Sequence, residues 1–110
     1  MKKNTRLLLL SIIILIFAGC NPTRYASIEK AMANKSNAKI LDLSRNNLTE
    51  IPSEVFELTG LEELILFKNQ IKTIPPEIKN LTHLKRLAMS RNDLESLPPE
   101  IGDLEKVLIN

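Results

Sequence analysis

The sequence is poor in the residue types that build most catalytic and metal sites. Its 110 residues include one cysteine, one histidine, three glycines and no tryptophan. A single cysteine excludes a disulfide within the chain, and too few ligands are present for a Cys/His zinc cluster. We expect His83 to be an exposed turn residue, and adjacent Glu62 and Glu63 to point to opposite faces of a strand. We therefore predict no catalytic residue, no metal site and no cofactor.

A hydrophobic run long enough to cross a membrane is also missing. The longest apolar stretch, 7–18, is broken only by Ser11, and it is shorter than the roughly 20 residues that span a hydrocarbon core. Lys2, Lys3 and Arg6 precede it. A basic segment followed by a short apolar run is typical of a signal peptide, so we predict that the protein is exported.

The only cysteine closes this leader. Ala18 and Gly19 precede Cys20, and the segment resembles the lipobox of bacterial lipoproteins. The resemblance implies that residues 1–19 are removed as a signal peptide and that Cys20 carries the lipid. Because asparagine rather than aspartate follows at Asn21, it also slightly favours the outer membrane in a cell with two membranes. The alternative is an ordinary or uncleaved signal with an incidental cysteine.

Excess positive charge is confined to the leader. The whole chain has 15 Lys and Arg and 13 Asp and Glu, but three of the cations and none of the anions precede Cys20. The remaining 91 residues carry 12 cations and 13 anions, a net charge of −1. This balance gives no support for nucleic-acid binding, and the length fits one domain.

Those 91 residues contain a gapless repeat of 23 residues. Segments that begin at Ala38, Leu61 and Leu84 carry apolar residues at their first, fourth and sixth positions and asparagine at the ninth. The same spacing holds for the later apolar positions of the three copies, which are Leu48, Ile71 and Leu94; Ile51, Ile74 and Leu97, each followed by proline; Val55, Ile78 and Ile101; and Leu58, Leu81 and Leu104.

This pattern resembles the leucine-rich repeat family in its 23-residue form. Alternation at pairs such as Leu41 and Leu43 is typical of a strand with one buried face, and the prolines mark the start of a helical or 3₁₀ return segment. Stacked coils would share one core. We predict an α/β fold, a short right-handed leucine-rich repeat solenoid with a parallel β-sheet on its concave face and short helical or 3₁₀ segments on its convex face.

The end coils of a solenoid would expose their apolar residues unless capping segments cover them. Residues 23–37 have helix-like apolar spacing and predict an N-terminal capping helix; a helix that binds a partner is the alternative. Residues 20–22 are then the lipid-anchored tether, and 38–110 hold three repeats and the start of a fourth. The last four residues, 107–110, form either an edge strand or the remnant of a longer repeat array.

Two sets of side chains are candidates for special roles. Asn46, Asn69 and Asn92 recur inside the apolar frame, and we predict a structural ladder in which they bond to backbone groups. Leucine-rich repeat proteins usually bind proteins through the concave strand face. The resemblance therefore implies a partner-binding surface on that face, and its predicted residues are Arg45, Ile65, Phe67, Lys68 and Arg91.

The basic residues of that surface form a row of like charges on neighbouring strands. Such a row is mildly destabilising by itself, so it favours an acidic partner. The alternative is a solvated edge balanced by Asp42 and Asp93.

We interpret the protein as a membrane-anchored, noncatalytic protein–protein interaction module of the bacterial cell envelope. Its expected partners are a protein of unknown identity and the membrane through the N-terminal lipid, with no nucleic acid. Two alternatives remain open: a structural envelope component that self-associates weakly through its C-terminal edge, and a truncated fragment of a longer leucine-rich repeat protein.

Overall fold

Five short parallel strands form one sheet along one side of the molecule. The structure, a computed structural model, describes residues 23–104 and 108–110, so the predicted signal peptide, Cys20 and the tether lie outside the described residues. The strands follow one another in chain order. They are β1 (Thr23–Tyr25), β2 (Ala38–Asp42), β3 (Glu63–Ile65), β4 (Arg86–Ala88) and β5 (Leu108–Ile109).

The 23-residue repeat sets the register of this sheet. Leu41 pairs with Leu64, which pairs with Leu87, and all three side chains are fully buried. Their neighbours Asp42 and Ile65 pair with each other and are half-buried, because successive strand residues point to opposite faces. The predicted α/β solenoid with a parallel sheet is thereby confirmed.

The N-terminal cap is a strand followed by a short helix rather than a helix throughout residues 23–37. Helix α1 spans Ile28–Ala33 and a 3₁₀ helix, η1, spans Lys35–Asn37. Ser27 caps α1, since its Oγ accepts a hydrogen bond from the backbone N–H of Lys30 at 3.2 Å. The predicted helix is therefore shorter than expected. Its first three residues are β1 instead, because an open edge of β2 offers main-chain partners that a helix would leave unpaired.

The chain returns along the convex side in one 3₁₀ helix per coil. These are η2 (Ser53–Glu57), η3 (Pro76–Asn80) and η4 (Pro99–Asp103). In each, a proline carbonyl accepts a hydrogen bond at 3.1 Å from the backbone N–H three residues later. Proline suits this position because its φ is already fixed near the helical value. None of the helices in 23–104 and 108–110 is both long and apolar enough to cross a membrane.

The last coil is more open than the first two. Leu97 is 50% exposed, whereas its counterparts Ile51 and Ile74 are 5% and 4% exposed. Strand β5 pairs with β4, and the Asn110 N–H donates to the Leu87 carbonyl at 3.1 Å. Of the two arrangements expected for 107–110, the structure has the edge strand at residues 108–109; residue 107 lies outside the described residues.

Candidate functional site

The turns that leave strands β2, β3 and β4 each hold a basic residue in a left-handed conformation. Arg45, Lys68 and Arg91 all have φ of 58°. The backbones of the first two are tied to the next coil, since the Arg45 N–H donates to the Phe67 carbonyl and the Lys68 N–H to the Ser90 carbonyl, both at 3.0 Å. Neighbouring parallel strands are about 4.8 Å apart. The three side chains, called here the basic row, therefore come from successive coils at the same edge of the sheet.

Phe67 lies between the two arginines of the basic row. Its ring centre is 5.8 Å from Cζ of Arg45 and 5.7 Å from Cζ of Arg91. Both distances are within the range of cation–π attraction, which is worth about 0.5 to 1 kcal/mol at an exposed site. The ring is half-buried and both arginines are exposed. The structure thus brings together three of the five predicted binding residues in direct contact.

Ile65 and Lys68 complete the predicted surface. Ile65 lies on β3 two residues before Phe67, is half-buried, and is paired in register with Asp42 and Ala88. Lys68 follows Phe67 directly and is exposed. Because strand residues two apart share a face, Ile65 and Phe67 form one partly exposed apolar area beside the basic row.

Asn69 anchors the turn below this surface. It is 7% exposed. Its Oδ1 accepts from the backbone N–H groups of Asn46 and Leu48, and its Nδ2 donates to the carbonyls of Leu43 and Leu66, all at 3.0 Å. Three of these four groups belong to the preceding coil. One side chain therefore satisfies backbone groups of two neighbouring turns.

The three asparagines are not equivalent. Asn92 resembles Asn69, since its Oδ1 accepts from the Ile71 N–H and its Nδ2 donates to the carbonyls of Leu66 and Met89. Asn46 is exposed and its side chain donates only to the Ser44 carbonyl, at 3.3 Å. Asn46 lacks the bonds to a preceding coil because a strand and a short helix, not a full coil, stand before it.

Most carboxylates of the strand region already have cationic partners. Glu63 pairs with Arg86 at 3.6 Å, and Glu62 with Lys85 at 3.2 Å. Asp42 pairs with Arg24 of β1, a contact that the sequence pattern did not reveal because residues 23–25 were expected to be helical. Within the described residues, no salt bridge involves the basic row.

The carboxyl of Asp42 has a pKa below its ordinary value. Burial raises the pKa of this group. Hydrogen bonds from Ser44 Oγ at 2.6 Å and the Ser44 N–H at 3.1 Å, together with the nearby Arg24, lower the pKa further than burial raises it. The carboxyl is therefore held ionised and paired with Arg24, and it forms no salt bridge with the basic row.

Two depressions differ in charge. One of about 230 Å³ adjoins the basic row and is lined by Arg45, Asn47, Lys68, Asn69 and Gln70, with no carboxylate. Sequence reasoning missed Asn47 and Gln70; the left-handed φ of 55° at Asn47 is visible only in the structure.

A second depression lies on the convex side. Its volume is about 490 Å³, and Glu50, Glu57 and Glu77 line it around Phe56. In the described part of the chain no three His, Cys, Asp or Glu side chains lie close enough together to hold a metal ion.

The coil geometry agrees with a sequence comparison. The profile of the leucine-rich repeat family matches residues 36–94, which is more than half of the sequence. The chain belongs to the leucine-rich repeat family. Domains of this family generally mediate protein–protein interactions, and the fold is typically a non-enzymatic scaffold. A search of curated proteins found no significant match.

Among solved structures, the chain is similar to a leucine-rich repeat protein of Leptospira interrogans. The two are 21% identical over 80% of this chain and 34% of that protein, with a TM-score of 0.42. This leucine-rich repeat chain therefore spans about a third of the length of that protein.

Proposed function

We propose that this leucine-rich repeat protein is a noncatalytic protein-binding module, held at the bacterial cell envelope by a lipid on Cys20, that binds a protein through its concave face. The observation that carries the proposal is the contact of Phe67 with Arg45 and Arg91 beside half-buried Ile65. Binding energy at protein interfaces concentrates in aromatic and arginine side chains. Here both kinds lie together where the chain leaves strands β2, β3 and β4, at one edge of the sheet.

The anchor is supported by the leader sequence and by the length of the tether. The first strand begins at Thr23, three residues after Cys20, so the tether reaches at most about 10 Å. A lipid on Cys20 would keep the solenoid at the membrane surface. A single acyl chain binds membranes only marginally, whereas several chains anchor stably.

The anchor can be tested by mass spectrometry of the full-length gene product extracted from bacterial membranes. We expect loss of residues 1–19 and added acyl mass on Cys20. Cys20→Ser serves as the control and should leave the protein unlipidated and released from the membrane. An intact leader with an unmodified Cys20 thiol would refute the anchor.

The binding face can be tested by photocrosslinking in living cells. A photoreactive residue at Ser90, which is exposed and stands in the position equivalent to Phe67 on the next coil, should form an adduct with a partner protein. The matched control is Lys79, which is exposed on convex helix η3. Adducts from Lys79 alone, or equal adducts from both positions, would exclude the concave face.

Self-association is a second candidate function, favoured by the exposure of Leu97 and Ile109 at 50% and 40%. Both lie in the last coil and β5. If Cys20 is acylated, Leu97→Cys introduces the only free thiol of the mature chain. A disulfide-linked dimer on mild oxidation of membranes would support association of two copies there. No dimer, or as much dimer from Lys79→Cys, would exclude it.

A further inference from the structure

The basic row is kept at backbone positions that disfavour its residue types. The left-handed region is unfavourable for an ordinary L-residue, and glycine, asparagine and aspartate tolerate it best. The chain uses asparagine in this way at Asn47, yet it places arginine, lysine and arginine at φ of 58° in three successive coils. Strained positions are retained when the surrounding structure and the function require them, so the side chains themselves need an explanation.

The positive charge of this row is not neutralised by the described part of the protein. Asp42, Glu62 and Glu63 each pair with a cation outside the row, and within the described residues Asp93, two residues after Arg91, forms no salt bridge with it. Like charges about one strand spacing apart repel each other. A ligand with several negative charges would relieve this repulsion, whereas a neutral ligand would leave it in place.

The ring of Phe67 restricts the side chains of two of these cations before a ligand binds. Contact with the ring holds the guanidinium groups of Arg45 and Arg91 on either side of the coil that carries Lys68. A long side chain that is already ordered loses less conformational entropy when it binds. Guanidinium groups also bind carboxylates with two parallel hydrogen bonds, which an ammonium group cannot do.

A depression with the size and lining to bind a carboxylate adjoins the basic row. The depression of about 230 Å³ between Arg45 and Lys68 is lined additionally by the amide side chains of Asn47 and Gln70, and no acidic residue contributes to it. Amide nitrogens donate hydrogen bonds to carboxylate oxygens. Cations and neutral donors thus surround one space.

The apolar neighbours distinguish among the anions that could bind. Ile65 and Phe67 are half-buried beside the basic row, so a ligand that combines carboxylates with an apolar side chain would cover both features. On the convex side, Glu50, Glu57 and Glu77 line the larger depression. Glu57 pairs with Lys35 at 3.8 Å, and the acidic lining of this depression makes it an unfavourable site for an acidic partner compared with the basic row.

We propose that the basic row selects an acidic segment of a protein, with carboxylates on Arg45, Lys68 and Arg91 and an apolar side chain over Ile65 and Phe67. This inference rests on the proposed function and adds the chemical class of the partner. Acidic residues on the partner determine which segment is bound, and the ring of Phe67 orders the arginines that bind them.

The test uses the full mature chain in micelles of an uncharged detergent and two synthetic peptides. One peptide carries four glutamates around a central phenylalanine, and the other has glutamine in place of every glutamate. We expect the glutamate peptide to bind at least about tenfold more tightly at low salt, since several exposed ion pairs contribute together. The difference should shrink toward 0.5 M salt because screening becomes strong.

Matched variants separate a specific site from general charge. Arg91→Gln should weaken binding of the glutamate peptide severalfold, whereas Lys79→Gln removes the same charge from the convex side and should leave it unchanged. Phe67→Leu should also weaken it, because the arginines lose their aromatic partner. Equal binding of both peptides, or equal effects of Arg91→Gln and Lys79→Gln, would overturn the proposal.

Anionic lipid is the competing source of negative charge. Vesicles of phosphatidylglycerol provide that probe, and binding to them that Arg91→Gln abolishes, without any binding of the glutamate peptide, would assign the row to the membrane and overturn the proposal. The proposed function fails separately. If Ser90 crosslinks a protein but the peptides bind equally, the concave face binds proteins without selecting acidic ones.

Discussion

Replacement of Asn69 by leucine should be among the most damaging single changes in the central coil. Leucine has a similar size but no polar atoms, so four hydrogen bonds of about 3.0 Å disappear together. Not all four backbone groups are left without a partner. The Leu66 carbonyl still accepts from Asn92 Nδ2 at 2.8 Å, and the N–H of exposed Asn46 can turn to water.

Two groups then determine the magnitude, the Leu48 N–H and the carbonyl of Leu43, a residue that is 5% exposed. A buried polar group left unpaired costs about 1 to 3 kcal/mol. We therefore expect Asn69→Leu to lower the free energy of unfolding by about 2 to 5 kcal/mol. Small domains have roughly 5 to 15 kcal/mol in total, so the melting temperature should fall by about 10 °C or more.

Thermal and urea unfolding of the mature domain carrying Cys20→Ser measure this effect. Asn46→Leu is the control, because the Asn46 side chain is exposed and donates a single bond at 3.3 Å. It should change the melting temperature by only a few degrees. An unchanged melting temperature for Asn69→Leu, or an equal loss for Asn46→Leu, would show that the hydrogen-bonded turn does not stabilise the coil.

Asn69→Asp tests the donor and the acceptor of the Asn69 amide separately, because it removes only the donor. It keeps the shape and the acceptor oxygen but places a carboxylate oxygen against the carbonyls of Leu43 and Leu66, where Nδ2 now donates. We expect destabilisation at pH 7 and partial recovery at acidic pH, where a protonated carboxyl can donate again. Equal destabilisation at both pH values would contradict the assigned amide orientation.

Three further predictions concern other parts of the structure. The folded-state pKa of Asp42 is lowered, so its stabilising contribution should be present above about pH 4 and be lost as the pH falls through the folded-state pKa. The difference in unfolding free energy between wild type and Asp42→Asn should therefore disappear on acidification. A difference that does not change with pH would contradict this. Ile74→Ala should lower the free energy of unfolding by about 2 to 4 kcal/mol because Ile74 is 4% exposed. Leu97→Ala should lower it by under about 1 kcal/mol because Leu97 is 50% exposed. Equal decreases for the two variants in urea unfolding would mean that the last coil is covered. Phe67→Ala should abolish crosslinking from Ser90 while costing much less than the roughly 3 to 5 kcal/mol of a fully buried phenylalanine, and an early melt with normal crosslinking would place Phe67 in the core.

The 23-residue period is enough to predict the coil and its core. A gapless 23-residue period leaves one register in which the repeated apolar residues of the strands are buried, since a slip by one residue would turn every strand leucine toward solvent. The parallel sheet, the proline-initiated 3₁₀ turns and the inward rows of leucine all follow from that period. The positions of Asn69 and Arg91 in the turn were predictable for the same reason.

Features that depend on contacts between different coils could not be predicted from the repeat pattern. Residues 23–25 have local apolar spacing that fits a helix, but the free edge of β2 makes them a strand. Asn46 and Asn69 occupy the same place in the repeat, yet only Asn69 is buried, because its hydrogen bonds reach back to a preceding full coil. The contact of Phe67 with Arg45 and Arg91 likewise joins three coils. The repeat pattern describes each coil by itself, whereas equivalent residues of different coils differ because different segments pack against them.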